Sequence, residues 1–343
     1  MKLKFLILAL CMFPAKLLMA QQNSWTCSLG GNTALMYPVI DGNVLYAAGE
    51  NVFTAIDIKN GKPLWTFKAE GIIAMPPLIA NKTAFFTTKA GNVYALDLNL
   101  KKPKWTLNVG DKLICTPLIY KDLLIVYTKN FFIALDKEVG LDMWKTELKT
   151  SGSPLLKLSG DVLCFSDNMK ITAISPANGK LLWTNSLPVF GQSDLLINNE
   201  KIYFTNADKL YCLNLADGRE IWKKVMNSNA SPLINTVPCI ADNLLVVTCN
   251  QEVIAYTADK GQELWRVSLK TPASLHSPVI CNNKIYVAEY GTKLFCLRID
   301  KGKVEQIFEA PAKMESELLI ENNRVYFFTS DGLAGSFYLV SEK

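Results

Sequence analysis

Histidine is the side chain that most often carries general acid–base chemistry, and this chain has one, His276. A serine hydrolase could operate with a single histidine, but the G-x-S-x-G turn that presents the nucleophile of many hydrolases does not occur in the sequence. Metal sites built from several histidines are excluded by the count. The histidine content therefore argues against a hydrolase and against a histidine-based metal centre.

Cysteine is the second residue type that could do chemistry, and the chain has nine. None of them is adjacent to another, and no C-x-x-C or C-x-x-C-H spacing occurs, so metal, haem and thioredoxin-like signatures are absent from the sequence. Most lie in apolar runs, which favours burial as small hydrophobic side chains. Disulfide pairing in an oxidising compartment remains open. Eight follow the N-terminal segment: Cys27, Cys115, Cys164, Cys212, Cys239, Cys249, Cys281 and Cys296.

Phosphate, calcium and nucleic-acid sites also lack their sequence signals. No Gly-rich phosphate loop and no EF-hand spacing is present. The formal net charge is +5, and removal of residues 1–20, which hold three lysines and no acid, would lower it to +2. No run of Lys and Arg occurs, so nucleic acid is not an expected partner.

The N-terminus has the features of a secretory signal peptide over residues 1–20. Lys2 and Lys4 precede an apolar run from Phe5 to Phe13, which is too short to span a bilayer. Cleavage after Ala20 would start the mature chain at Gln21. Leu10 precedes Cys11, which departs from the small residue that lipoprotein signals carry there. We therefore expect an exported protein of the periplasm or cell envelope with no transmembrane segment in its mature part.

A repeat organises the rest of the chain. Seven tryptophans are separated by 40, 40, 39, 39, 39 and 43 residues, and a further 43 residues leads to Phe308 as the expected eighth aromatic. Such a period is typical of repeat architectures. The seven, for which we predict a structural role in docking one repeat on the next, are Trp25, Trp65, Trp105, Trp144, Trp183, Trp222 and Trp265.

A second series of residues marks eight units at spacings of 37 to 44 residues. After each marker come an aliphatic strand, a polar turn, a strand rich in β-branched and aromatic residues, a third strand and a strand carrying the tryptophan. Four short strands per unit of this length predict a blade of a β-propeller. The markers are Pro38, Pro77, Pro117, Pro154, Asp194, Pro238, Pro278 and Glu317.

These units predict an all-β, eight-bladed propeller of four-stranded antiparallel blades, formed as a single domain by residues 21–343. The last unit ends with its third strand, Leu333–Leu339, and lacks a fourth. The segment around Trp25 precedes the first unit and is unassigned. We therefore expect the N-terminal strand to complete the eighth blade and close the ring.

The third and fourth strands are joined by the pattern A-x-D-x-x-x-G-x-x-x-W, seen in Ala55–Trp65 and Ala134–Trp144. This pattern resembles the repeat of quinoprotein-like propellers, a family that includes pyrroloquinoline-quinone dehydrogenases and BamB-type outer-membrane assembly lipoproteins. The resemblance implies that the glycine makes a turn and the tryptophan docks on the neighbouring blade. The sequence departs from it with Lys101 in place of Gly, with Cys212 and Cys296 in place of Ala, and with no Trp at the expected offset in the seventh unit.

The resemblance implies two functions of different classes. The dehydrogenases carry long insertions, many have an adjacent Cys-Cys pair, and they need a cation site with a catalytic Asp, none of which is recognisable in these short units. We therefore predict a non-catalytic, monomeric scaffold without a cofactor that binds an envelope protein, in outer-membrane protein assembly. The alternative is a small quinoprotein that binds pyrroloquinoline quinone and a divalent cation to oxidise alcohols or sugars. Carbohydrate or peptide binding is a third reading that the sequence does not separate from the first.

The predicted inner strands suggest where a ligand could bind. Residues at and before the markers of units five, seven and eight are polar, and neighbouring units would bring them to one mouth of the channel. A small polar recognition site is one interpretation. A hydrated lining with bonds between blades is the other, and the sequence favours it. The candidate channel-mouth residues are Gln192, Asp194, His276, Glu315 and Glu317.

Overall fold

The computed structural model contains strands and no helix in the residues it describes. It describes residues 25–28, 39–73, 75–113, 115–148, 156–167, 170–186, 193–206, 208–226, 236–314, 318–321, 324–329 and 333–338. No helix in this part of the chain is long and apolar enough to cross a membrane. The all-β prediction and the four-stranded antiparallel sheets are confirmed, and eight such sheets are present.

Sheets 1 to 4 follow one another along the chain. Sheet 1 contains β2 (Val39–Asp41), β3 (Val44–Gly49), β4 (Val52–Asp57) and β5 (Pro63–Lys68). Sheet 2 contains β6 (Leu78–Ala80), β7 (Thr83–Thr87), β8 (Asn92–Asp97) and β9 (Lys102–Asn108). Sheet 3 contains β10 (Leu118–Tyr120), β11 (Leu123–Tyr127), β12 (Phe131–Asp136) and β13 (Asp142–Glu147). Sheet 4 contains β14 (Leu156–Ser159), β15 (Val162–Asp167), β16 (Lys170–Ile174) and β17 (Leu181–Ser186).

Sheets 5 to 7 repeat this order, and sheet 8 departs from it. Sheet 5 contains β18 (Leu196–Asn198), β19 (Lys201–Asn206), β20 (Lys209–Asn214) and β21 (Glu220–Val225). Sheet 6 contains β22 (Cys239–Ala241), β23 (Leu244–Cys249), β24 (Glu252–Thr257) and β25 (Glu263–Ser268). Sheet 7 contains β26 (Val279–Cys281), β27 (Lys284–Ala288), β28 (Lys293–Arg298) and β29 (Val304–Glu309). Sheet 8 contains β30 (Leu319–Glu321), β31 (Arg324–Phe328), β32 (Leu333–Tyr338) and β1 (Trp25–Ser28).

The hydrophobic core lies between successive sheets. The second and third strands are almost entirely buried, whereas the fourth strands alternate between exposed and half-buried residues, as an outer edge does. One buried cluster joins sheet 7 to sheet 8 through Phe308 and Val325, and another joins sheet 8 to sheet 1 through Tyr326 and Leu45. First strands of successive sheets also touch, for example β10 and β14.

One register recurs between third and fourth strands. In six sheets the residue opposite the tryptophan is a small one, as in Ala55 opposite Trp65 and Cys212 opposite Trp222, and the pairing shifts immediately after it. In sheet 7 the residue opposite Cys296 is Gln306. The prediction that Phe308 is the eighth aromatic of the tryptophan series is therefore wrong, because Phe308 lies two residues later, opposite Leu294.

Candidate functional site

In sheets 3 to 7, the turn between the third and fourth strands meets the tryptophan of the preceding sheet. The indole Nε1–H of Trp105 in sheet 2 donates to the carbonyl oxygen of Lys137 in sheet 3, at 3.1 Å. Four later tryptophans make the equivalent bond at 3.0–3.2 Å. Their acceptors are the carbonyls of Pro176, Leu215, Ala258 and Ile299.

Two features of that turn favour glycine. Gly140 has a φ of +75°, a region that L side chains seldom adopt. A Cβ atom at Gly140 would also stand 2.8 Å from ring carbons of Trp105. The bond and the close approach together support the predicted docking role of the tryptophans, which remains a prediction until substitution tests it. For Trp25 only the backbone is described, and it lies opposite Ser336.

Sheet 8 has no turn between its third and fourth strands, since β32 and β1 come from opposite ends of the chain. Sheet 7 packs against sheet 8, and sheet 7 is where Gln306 stands at the tryptophan position. An indole there would lack the glycine turn that five of the tryptophans contact. The topology thus accounts for the one sheet whose sequence lacks the tryptophan.

Asp194, a predicted channel-mouth residue, forms an ion pair between sheets. One of its carboxylate oxygens lies 2.6 Å from Nζ of Lys157 on β14, and the other accepts the backbone N–H of Leu195 at 2.7 Å. Burial raises the pKa of the Asp194 carboxyl, and Lys157 opposes that shift without cancelling it. The carboxylate is thus engaged with the neighbouring inner strand.

Lys157 is a charged residue that the sequence analysis did not identify as a candidate. It lies opposite Cys164, and in the seven other sheets the equivalent position of the first strand is apolar. Alignment of the eight first strands shows that Lys157 is the one charged residue at this position. The equivalents are Val39, Leu78, Leu118, Leu196, Cys239, Val279 and Leu319.

His276 is buried at 2% exposure beside the first strand of sheet 7. Its ring stacks on Tyr290, with centroids 3.8 Å apart, and its Nε2 atom lies 3.4 Å from the carbonyl oxygen of Met314 near sheet 8. A carbonyl only accepts, so this contact needs the proton on Nε2. Its backbone N–H donates to Ala288 at 2.9 Å. The ring of His276 therefore contacts the segment that leads to sheet 8, and its backbone bonds to β27 of sheet 7.

Threonine hydroxyls connect the inner strands of sheets 5, 6 and 7. The hydroxyl of Thr205 donates to the carbonyl of Thr236 at 2.8 Å, and Thr236 donates to the carbonyl of Thr248 at 2.7 Å. Thr248 in turn donates to the carbonyl of His276 at 2.9 Å. Thr87 of sheet 2 makes the same type of bond to Cys115 of sheet 3. Buried hydrogen bonds from threonine hydroxyls therefore join sheets 5, 6 and 7 near His276.

Glu289 is a buried carboxylate that the sequence analysis also did not identify as a candidate. It stands where other sheets carry Thr88, Thr128 or Thr329, at a bridge beside the loop that enters the sheet. It accepts hydrogen bonds from the hydroxyl of Thr271 and from the backbone N–H of Lys293. These two hydrogen bonds hold the loop between sheets 6 and 7 against the turn that joins β27 and β28.

The seven cysteines whose side chains the structure describes are unsuited to thiolate chemistry. Five of them are buried, and no disulfide joins the seven. Burial raises the pKa of Cys115 and Cys164 to about 12 and that of Cys212 and Cys249 to about 11. Cys212 and Cys296 occupy the small-residue position opposite the fourth strand, as the repeat predicts.

Of the five predicted channel-mouth residues, the structure describes Asp194 and His276, and these two make different contacts. Asp194 contacts Lys157, and His276 contacts Tyr290 and the region of Met314. Gln192, Glu315 and Glu317 lie outside the described residues. Their predicted role stays a prediction.

Open clefts occur elsewhere, on either side of the turn Asp242–Asn243 of sheet 6. The larger, of ≈ 590 Å³, lies towards sheet 7 and is lined by Trp265 and Asp300, and the smaller, of ≈ 330 Å³, lies towards sheet 5. Within the described residues, no three His, Cys, Asp or Glu side chains are grouped to hold a metal ion. These described residues thus lack a carboxylate cluster of the kind that would hold the divalent cation of the quinoprotein alternative.

Comparison with known proteins decides the family. A sequence model described as outer membrane protein assembly factor BamB matches residues 20–134, 50–195, 130–250 and 249–341, which together span almost the whole chain. The chain belongs to the BamB family. This confirms the resemblance stated from the A-x-D-x-x-x-G-x-x-x-W pattern.

Two relatives carry the same name. The outer membrane protein assembly factor BamB of Salmonella typhimurium is 23% identical, with 85% of this chain and 81% of that protein covered. The BamB of Moranella endobia is 22% identical, and the match covers 85% of this chain and 66% of that protein. BamB-family membership thus rests on similarity along most of the sequence.

Solved structures agree on the fold. The crystal structure of BamB from Moraxella catarrhalis matches with a TM-score of 0.75 at 17% identity, over 92% of this chain and 98% of that one. Quinohemoprotein alcohol dehydrogenase from Comamonas testosteroni matches with a TM-score of 0.73 at 11% identity, over 95% of this chain and 78% of that one. A scaffold shared by an assembly factor and an enzyme shows that the fold alone does not assign an activity.

Proposed function

We propose that this BamB-family chain is a non-catalytic protein-interaction scaffold of the cell envelope that takes part in outer-membrane protein assembly. The observation that carries the proposal is the family match across residues 20–341, in a family described by that role. The side chains of Asp194 and His276 support it, since both are engaged in contacts between sheets. Such contacts give a rigid body whose exposed turns can bind a partner.

We infer that the eight sheets are the blades of one monomeric domain, residues 21–343, with the N-terminal strand closing the ring. Trp25 lies opposite Ser336, which is the register that tryptophans take in six other sheets. Ser336 also accepts a hydrogen bond at 2.8 Å from the guanidinium of Arg324, which is 4% exposed. Pairing between the two chain ends removes an open sheet edge.

Export is part of the proposal, because an assembly partner would lie in the periplasm or outer membrane. The signal-peptide features of residues 1–20 support it. Deletion of residues 2–20 is expected to retain the protein in the cytoplasm, where cell fractionation would detect it. A deleted chain that still fractionates with the periplasm would contradict the predicted signal.

The deciding experiment is cross-linking in living cells with a tagged chain, followed by purification from the envelope fraction and mass spectrometry. We expect enrichment of an outer-membrane assembly β-barrel or of one envelope complex. The same tag on the chain lacking residues 2–20 is the matched control, since it removes access to the envelope and leaves all the strands. Equal recovery of envelope proteins with both chains, or none with either, would overturn the scaffold proposal.

The small quinoprotein remains the alternative, and its fold is supported by the likeness to an alcohol dehydrogenase. It is tested by titrating the purified protein with pyrroloquinoline quinone and calcium and measuring dye reduction with alcohols and sugars. The scaffold proposal expects no saturable quinone binding and no substrate-dependent reduction. Saturable binding with turnover would replace it by the enzyme.

A further inference from the structure

Six large aliphatic side chains are exposed in one sector of the outer rim. They lie in or beside the turns that join the third and fourth strands of sheets 2, 3 and 4. Leu100 is 71% exposed and Leu141 65%, and the others are between 48% and 58% exposed. We call this set the apolar rim patch: Leu100, Val139, Leu141, Met143, Leu181 and Leu182.

Contacts between sheets place the three turns next to one another. The turn of sheet 3 is held against β9 by the bond from Trp105 to Lys137 and by the approach of Gly140 to the indole. Val139 and Leu141 flank that glycine. The turn of sheet 4 is held in the same way against β13, where Met143 precedes Trp144. The three turns that carry the exposed side chains therefore lie on adjacent sheets at the same rim.

The repeat itself shows that the fold does not require apolar residues at these turns. Val139 precedes the turn glycine, and the equivalent residues of sheets 5, 6 and 7 are Asp217, Lys260 and Lys301. Leu141 follows the glycine, and its equivalents there are Arg219, Gln262 and Lys303. These sheets make the same turn and the same tryptophan bond with polar residues. The aliphatic side chains of Val139 and Leu141 thus serve no structural need common to the sheets, whereas Met143 and Leu182 share the position before the tryptophan with exposed aliphatic residues of other sheets. Exposed apolar clusters mark interaction sites.

The charged residues of these turns also differ between sheets 2 to 4 and sheets 5 to 7. The turns and strand starts of sheets 2, 3 and 4 hold five lysines and two acids, whereas those of sheets 5, 6 and 7 hold four basic and six acidic residues. Lys102 is exposed beside Leu100 and Lys180 beside Leu181, whereas Lys104 forms an ion pair with Glu138 at 3.8 Å. The segments compared are 98–104, 137–143 and 176–182 against 215–221, 258–264 and 299–305.

We propose that the apolar rim patch seats this protein on the surface of an anionic lipid bilayer. The aliphatic side chains would enter the boundary between headgroups and acyl chains, and the lysines would contact lipid phosphates. The composition favours lipid over a protein partner, because lysine is depleted at protein interfaces and their anchors are mostly Trp, Tyr and Arg. This inference concerns a different surface from the channel wall and goes beyond the proposed scaffold function.

Flotation with lipid vesicles tests the proposal. A chain beginning at Gln21 keeps all the strands and lacks both the apolar N-terminal segment and Cys11. We expect it to float with vesicles that contain phosphatidylglycerol and phosphatidylethanolamine, and to bind neutral phosphatidylcholine vesicles at least about tenfold less. Raising the salt from about 0.05 M to about 0.5 M should reduce binding severalfold, because it screens the lysines.

The repeat supplies the variant and its control. The double variant V139D/L141R places the residues of sheet 5 into the turn of sheet 3, where they are compatible with the fold. We expect about tenfold or greater loss of vesicle binding at unchanged urea stability. The control L264K changes a leucine of sheet 6 that is 50% exposed and lies outside the patch, and it should bind vesicles as the parent chain does.

Two results would overturn the proposal. One is that the parent chain fails to float with anionic vesicles, and the other is that V139D/L141R and L264K bind alike. Capture of an envelope protein that depends on Val139 and Leu141 without any vesicle binding would assign the patch to a protein partner instead. The scaffold function is judged separately, by the cross-linking comparison of chains with and without residues 2–20.

Discussion

The indole ring of Trp265 occupies the space that a Cβ atom on Gly302 would need, since such an atom would stand 2.5 Å from two ring carbons. Trp265 belongs to sheet 6 and Gly302 to the turn of sheet 7. The same indole donates to the carbonyl of Ile299 at 3.2 Å. One side chain thus fixes the conformation of a turn in the neighbouring sheet.

Gly302→Ala should destabilise the protein by about 2–4 kcal/mol. The change adds a methyl group against the indole and forces an L side chain to a φ of +64°. The free energy of unfolding in urea measures the loss. Gly42→Ala is the matched control, with a φ of +60° and no atom within 4 Å of the added Cβ, and should lose about 1 kcal/mol. Equal losses for the two variants would argue against tight packing of the indole on the turn.

Lys101→Gly should stabilise the protein by about 0.5–1 kcal/mol. Lys101 replaces the turn glycine in sheet 2 and holds a φ of 58°, which costs about 1–2 kcal/mol for an L residue. Part of the gain is offset by the greater freedom of glycine in the unfolded chain. Lys102→Gly, at the start of β9, should instead lose about 0.5–1 kcal/mol. Urea unfolding of both variants decides the matter, and a destabilised Lys101→Gly would show that the lysine makes compensating contacts.

Asp194→Asn should make the protein more resistant to urea at neutral pH, relative to the parent chain, than at acidic pH. The folded-state pKa of Asp194 is raised, chiefly by burial, so ionisation of the carboxyl costs stability. The stabilising contribution is complete below the ordinary value of 3.8 and is lost as the pH rises through the folded pKa.

Asp122→Asn is the control of opposite sign. Its hydrogen bond and charge interaction with Lys137 lower the pKa of the exposed Asp122 carboxyl. Its contribution is therefore present above pH 3.8 and is lost as the pH falls. Unfolding measured at several pH values between about 3 and 7 compares the two variants. The same slope for both would contradict the assignment of a desolvated carboxyl at Asp194.

Thr248→Val should cost about 1–3 kcal/mol, because the substitution leaves the buried carbonyl of His276 without the hydroxyl that donates to it at 2.9 Å. Thr184→Val, on the exposed face of β17, is the control and should change stability by less than about 0.5 kcal/mol. Thermal or urea unfolding measures both. A loss as small as that of the control would mean that water satisfies the His276 carbonyl.

Much of the architecture could be predicted from the sequence, because a propeller repeats local patterns. The period of Trp25 to Trp265 and the marker series predicted the four-stranded sheets. In the seventh unit the spacing of the tryptophans predicted Phe308 at the aromatic position, whereas the offset from Gly302 pointed to Gln306, which is the register observed. Gln306 and Phe308 lie two residues apart on the same side of β29, and strand alternation does not distinguish positions two residues apart.

The contacts of the candidate site were decided by the tertiary structure. Sequence spacing placed Asp194 and His276 near the predicted channel. It did not indicate that Asp194 would pair with Lys157, 37 positions earlier, or that Thr248 would bond to the backbone of His276. These contacts join different sheets, and they form only when the ring brings strands of different repeats side by side. The sequence by itself determined the repeat and its turns, which are local, whereas packing between sheets decided which polar groups meet.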